Sequence, residues 1–147
     1  ITNLRIGEEI LLPQDLLYLY GYPLNGMYDD VFTLESQVIE VRDKPSYPVG
    51  ELGVDAFGHK PVYIDKGIRR KVLLAMGHLD YCDYKDLIPQ DKDVEILGCS
   101  SDHTIMDVTD APRTYHVGDI VKFNLIYGTN LFLCHSQNVQ KVFIDEE

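Results

Sequence analysis

The stretch Val31-Phe32-Thr33-Leu34-Glu35-Ser36-Gln37-Val38-Ile39-Glu40-Val41 alternates apolar and polar side chains. Successive residues of a strand point to opposite faces, so the pattern predicts a long strand with one face buried and one wet. It must end at Lys44-Pro45-Ser46-Tyr47-Pro48-Val49-Gly50, because two prolines remove two ladder donors. Shorter strand patterns follow at 61–65, 70–76, 94–97, 104–108, 120–127 and 138–144. Residues 129–135 read equally as a further strand or as one helical turn. Many short strands separated by Gly, Pro and Asp turns predict a mainly β domain, either a sandwich or a barrel-like sheet. There is no internal repeat and no low-complexity segment.

Ahead of this region, Asn3-Leu4-Arg5-Ile6-Gly7-Glu8-Glu9-Ile10 reads as a short strand ending in a tight turn. Residues 11–20, interrupted by Pro13, read as a connector, and Gly21-Tyr22-Pro23-Leu24-Asn25-Gly26 closes it with turn residues. The expected division is a strand-plus-connector piece at 1–22 and a β domain at 23–147. A chain of 147 residues with 45% hydrophobic and 25% charged residues is long enough for one real core. Its longest apolar runs, such as Val72-Leu73-Leu74-Ala75-Met76, are too short to span a bilayer, and no basic leader opens it. A net charge of −11 repels phosphate backbones, which argues against nucleic acid as a partner. Three widely spaced cysteines, Cys82, Cys99 and Cys134, form no Cys-x-x-Cys pair, as expected for reduced thiols in a cytoplasm.

Four groups of residues could carry chemistry. Arg5-Ile6-Gly7 is either a surface arginine beside a turn glycine or a fixed charge next to backbone that can approach an anion. In Gly77-His78-Leu79-Asp80, His78 is either a packed structural residue or a proton-transfer group. If the segment is extended, Asp80 shares its face and can orient the imidazole. Ser100-Ser101-Asp102-His103 reads as a turn between strands whose side chains bond the local backbone, since adjacent residues cannot form a triad. Tyr127-Gly128 ends an apolar strand. Asp55-Ala56-Phe57-Gly58 and Lys44-Pro45-Ser46 read as ordered turns. His78, Asp80, Cys82, Asp83, Asp102, His103 and His135 match no zinc spacing, so no metal is expected.

Taken in order, Arg5-Ile6-Gly7-Glu8, Gly77-His78-Leu79-Asp80, Gly98 through Asp102, Val117-Gly118-Asp119 and Tyr127 resemble the C-terminal part of the fold-type III pyridoxal-phosphate amino-acid racemases. The resemblance runs over the whole chain and is nearest to the ornithine racemase branch of the alanine racemase-like enzymes. It implies that the chain starts at the last strand of a (β/α)8 barrel and continues into the C-terminal β domain. The cofactor would be pyridoxal 5'-phosphate, held as a Schiff base on a barrel lysine that this chain lacks, so the chain alone is expected to be inactive. Arg5 would bond the pyridine nitrogen, while Gly7, Glu8 and Tyr127 would hold the phosphate. Ser101 and Asp102 would approach the substrate carboxylate from the partner subunit of a head-to-tail homodimer. His78 stands where the alanine enzymes carry a tyrosine base, inside Gly-Tyr-x-Asp-Gly, which implies His78 supported by Asp80 as the second base. Two other readings of a β domain of this kind are a non-catalytic dimerisation or regulatory module and the β domain of a decarboxylase with the same cofactor.

Overall fold

The computed structural model describes residues 2–54, 58, 60 and 62–144. Six antiparallel strands form one curled sheet in the order β3-β6-β1-β2-β5-β4. They are β1 (Thr33–Pro45), β2 (Ile68–Leu74), β3 (Ile88–Pro89), β4 (Glu95–Cys99), β5 (Thr104–Asp107) and β6 (Ile120–Asn124). Among the described residues, three short α-helices accompany them, α1 (Gln14–Tyr18), α2 (His78–Tyr81) and α3 (Tyr127–His135), with two 3-10 turns at Glu8–Ile10 and Tyr84–Asp86. Of the two forms the sequence left open, the barrel-like sheet is the one present.

β1 holds the sheet together because it is long enough to serve two neighbours. Residues from Thr33 to Gln37 pair with β6, and residues from Val38 to Pro45 pair with β2. The register slips between Val38 and Glu40, and again in β4 between Ile96 and Gly98. Such bulges bend a strand and increase its twist, so they curl the sheet. The alternation read from the sequence appears as burial: Leu34, Ser36 and Val38 face inward and their neighbours face solvent. Val38, Val72, Leu74, Met106, Val121 and Phe123 form the centre of the core, with Tyr81 and Leu133 packed on it from α2 and α3.

Several boundaries differ from the sequence reading. Lys44 and Pro45 are the end of β1, not a turn; Pro45 is the last residue of the ladder, opposite Ile68. Val62 and Ile64 are 92% and 72% exposed, and 62–66 forms no strand, since no neighbouring strand offers it a ladder. Residues 138–144 also remain irregular, because both edges of β6 are already taken by β3 and β1. β6 stops at Asn124, short of the predicted strand end at Tyr127, which instead opens α3, a nine-residue helix that takes in the 129–135 stretch where the sequence left strand and helix open. The N-terminal segment 2–7 pairs with no strand of the sheet, so its predicted strand is absent here. The turn read at Asp55-Ala56-Phe57 and the start of the 61–65 pattern at Pro61 lie outside the described residues.

Candidate active site

β2 delivers the chain to Gly77, where it reverses into the single turn of α2. Gly77 is buried and extended, and a side chain there would meet backbone: an added Cβ would lie 2.3 Å from the carbonyl oxygen of Ser101 and 2.4 Å from the amide of Asp102. That close approach lets α2 dock on the β4–β5 loop. The amides of His78 and Leu79 donate to the carbonyls of Ser100 and Ser101, at 2.9 and 3.1 Å. His78, Ser101 and Asp102 therefore belong to one unit at one end of the sheet.

The loop is the turn the sequence suggested. Ser100 N–H donates to the His103 carbonyl, and Ser100 Oγ accepts from His103 N–H. Ser101 Oγ donates to Asp102 Oδ2 at 2.6 Å, and both side chains are exposed.

The relation of Asp80 to His78 differs from the extended arrangement expected. The segment is helical, so residues two apart do not share a face. Asp80 is 7% exposed; its Oδ2 accepts from Gly77 N–H at 3.0 Å and its Oδ1 from Ser136 Oγ at 3.0 Å. The first of these is a carboxylate reaching back from the third helical position to the residue before the helix. Asp80 thus fixes the turn on which His78 rides.

His78 is half-buried and lines a groove of about 970 Å³ together with Lys71, Leu73, Asp83, Cys99 and Ile105. Tyr81, three residues on, is fully buried. Thr104 Oγ1 donates to the Met76 carbonyl at 2.8 Å, so the Tyr81 hydroxyl supplies the proton of the 2.5 Å bond to Thr104 Oγ1. Burial pushes the Tyr81 hydroxyl well above its ordinary value, and Cys99 and Asp80 beside it add to that. It is a structural phenol and holds its proton at neutral pH.

The cofactor-binding candidates lie on other elements. Arg5, Gly7 and Glu8 are exposed, and among the described residues no hydrogen bond or ion pair ties them to His78, Ser101 or Asp102. Tyr127 is half-exposed at the first position of α3. Arg42, Arg69, Arg70 and Arg113 pair with Glu40, Asp107, Asp43 and Asp91. Among the described residues, Arg5 alone of the five arginines has no such partner. A guanidinium with uncommitted donors fits a group whose ring nitrogen or phosphate accepts hydrogen bonds. Among the described residues, no cluster of three His, Cys, Asp or Glu side chains is placed to hold a metal.

Over 141 residues, or 96% of this chain, the sequence is 50% identical to the ornithine racemase of Acetoanaerobium sticklandii. That similarity extends over nearly all of this chain. A lysine racemase of Thermotoga maritima is 41% identical over 143 residues, 97% of this chain. The chain spans 39% of the length of each of these two racemases. A solved alanine racemase from Acinetobacter baumannii is 16% identical, with a TM-score of 0.44 over 73% of this chain and 33% of that one, too loose a superposition to support any argument. No family model matches the chain. Within this racemase-like domain the sequence pointed to His78, Asp80, Ser101 and Asp102, and the structure gathers them. It gave no signal for Ser136 or Thr104, whose partners lie 56 and 23 positions away along the chain.

Proposed function

We propose that this chain works as the C-terminal domain of a pyridoxal-phosphate-dependent amino-acid racemase that interconverts the L and D forms of a basic amino acid such as ornithine. The observation that carries the reading is the 50% identity to an ornithine racemase across nearly the whole chain. The match to a lysine racemase supports a substrate whose side chain ends in an ammonium group. When bound, the cofactor makes the Cα proton of the amino acid acidic by delocalising the electron pair it leaves behind.

The residues of this chain then divide the work. Arg5, whose guanidinium only donates, would bond the ring nitrogen in its unprotonated form. The backbone at Gly7 and Glu8 and the hydroxyl of Tyr127 hold the phosphate. Ser101 and Asp102 meet the substrate carboxylate in the site of the other subunit of a head-to-tail homodimer. Racemisation needs bases on both faces of Cα, and a lysine outside this chain serves one. His78 serves the other, since an imidazole can both take and return a proton. Asp80 supports it by holding its turn. Three thiols without a disulfide suit a cytoplasmic enzyme.

The test is to produce the full-length protein with pyridoxal phosphate and follow L-ornithine, D-ornithine, L-lysine and L-alanine separately by chiral chromatography. Conversion of ornithine or lysine to the racemic mixture from either enantiomer is expected, with alanine much slower. No change in enantiomer ratio for any amino acid would leave a non-catalytic domain, and carbon dioxide release would indicate a decarboxylase.

A further inference from the structure

We infer that Ser136, a residue without chemistry of its own in the racemase reading on which this inference rests, is a positioning residue for His78. Its hydroxyl oxygen accepts the amide proton of Asn138 at 3.2 Å, which leaves the hydroxyl proton for Asp80 Oδ1 at 3.0 Å. The Asp80 carboxylate is more than nine-tenths buried, and its other oxygen takes Gly77 N–H. The amide of Asp80 in turn donates to the Gly77 carbonyl at 2.9 Å, and Cys82 N–H closes the turn on the His78 carbonyl at 3.0 Å. On the opposite side, the carbonyls of Ser100 and Ser101 hold the amides of His78 and Leu79. The backbone of His78 is therefore clamped between the β4–β5 loop and the end of α3.

Ser136 is the residue that closes α3, and its amide still donates to the Phe132 carbonyl at 2.9 Å. Along α3, Thr129 and Leu133 are buried, and Thr129 Oγ1 donates to the Asp86 carbonyl at 3.3 Å. A helix of nine residues is a rod of about 13 Å. Its first residue is Tyr127, the candidate phosphate ligand, and its last contact sets the turn of the candidate base. The helix thus links the two functional ends through one hydroxyl.

The experiment uses the full-length protein and ornithine deuterated at Cα, with Ser136→Ala and Ser136→Thr compared with wild type. Ser136→Ala should lower kcat about tenfold at nearly unchanged KM, the scale of a misplaced rather than a missing group. The deuterium isotope effect should rise only in the direction in which His78 abstracts the proton, and Ser136→Thr should recover kcat to within about twofold because the hydroxyl is retained. A merely structural role would slow both directions with unchanged isotope effects, and that result would overturn the inference, as would unchanged kinetics in Ser136→Ala. If the wild-type protein racemises nothing, the functional reading fails on its own. The ring signals of His78 in a carbon-13 NMR titration then decide the positioning role. Altered signals in Ser136→Ala with wild-type-like signals in Ser136→Thr uphold it, and identical signals in all three proteins overturn it.

Discussion

A methyl group at position 77 has nowhere to go, because the atoms it would strike belong to the backbone of Ser101 and Asp102. Gly77→Ala should therefore force α2 away from the β4–β5 loop and cost about 2–3 kcal/mol, the range for overpacking a tight contact. Urea unfolding of the two proteins measures it, and equal midpoints would show that the loop yields freely. At Asp107, burial alone would raise the carboxyl, but the Arg69 guanidinium and two hydrogen bonds from Thr109 outweigh it and hold it below its ordinary value of 3.8. A depressed folded-state value means stability that is complete above pH 3.8 and lost as pH falls through the folded value. Asp107→Asn should cost about 2 kcal/mol near neutrality and flatten the acid limb of the stability curve. An acid limb identical to wild type would place the responsible carboxylate elsewhere.

At the scale of elements, β1 carries both a strength and a defect of the design. Its alternation made the strand legible, since Leu34, Ser36 and Val38 fall on one face at period two. The same period puts a serine in the core, and Ser36 Oγ has no hydrogen-bond partner among the described residues. Removing a buried, unsatisfied hydroxyl relieves desolvation, so Ser36→Ala should be neutral or stabilise by up to about 1 kcal/mol. A clear loss of stability on thermal or urea unfolding would mean that the hydroxyl has a partner after all. Strands β2, β4 and β5 were legible to within about two residues for the same reason as β1. The failures of the 61–65 pattern, over its described residues 62–65, and of 138–144 have a different source. Val142, Phe143 and Ile144 are apolar enough for a strand, but a strand exists only where a neighbour has a free edge, and a local pattern does not contain that information. The predicted strand end at Tyr127 fails oppositely: a β-favouring residue opens a helix whose Thr129 and Leu133 are buried.

At the scale of the whole molecule, the domain presents two groups of candidate residues with no hydrogen bond or ion pair between them among the described residues. Arg5, Gly7 and Glu8 lie on the N-terminal segment, and His78, Ser101 and Asp102 lie at one end of the sheet. The second group was legible as residue types, but its assembly was not, because Gly77 had to meet a loop more than twenty residues away. In the proposed homodimer the two groups would serve different active sites, each chain completing its neighbour's. On that account neither half suffices, and this chain alone should trap no cofactor on borohydride reduction. A stoichiometric adduct on one of its lysines would refute that expectation. The most direct measurement of the central claim is subunit complementation in the full-length protein. One variant lacks the cofactor-binding lysine and the other carries His78→Ala; each alone should have about 100-fold less ornithine racemase activity or lower still. Mixed under conditions of demonstrated exchange, half of the randomly assorted dimers are hybrids, and each regains one of its two sites. Recovery of about a quarter of wild-type activity is expected. No recovery despite exchange, or near-native activity of the His78→Ala protein by itself, would contradict the assignment of His78 as a base acting across the dimer.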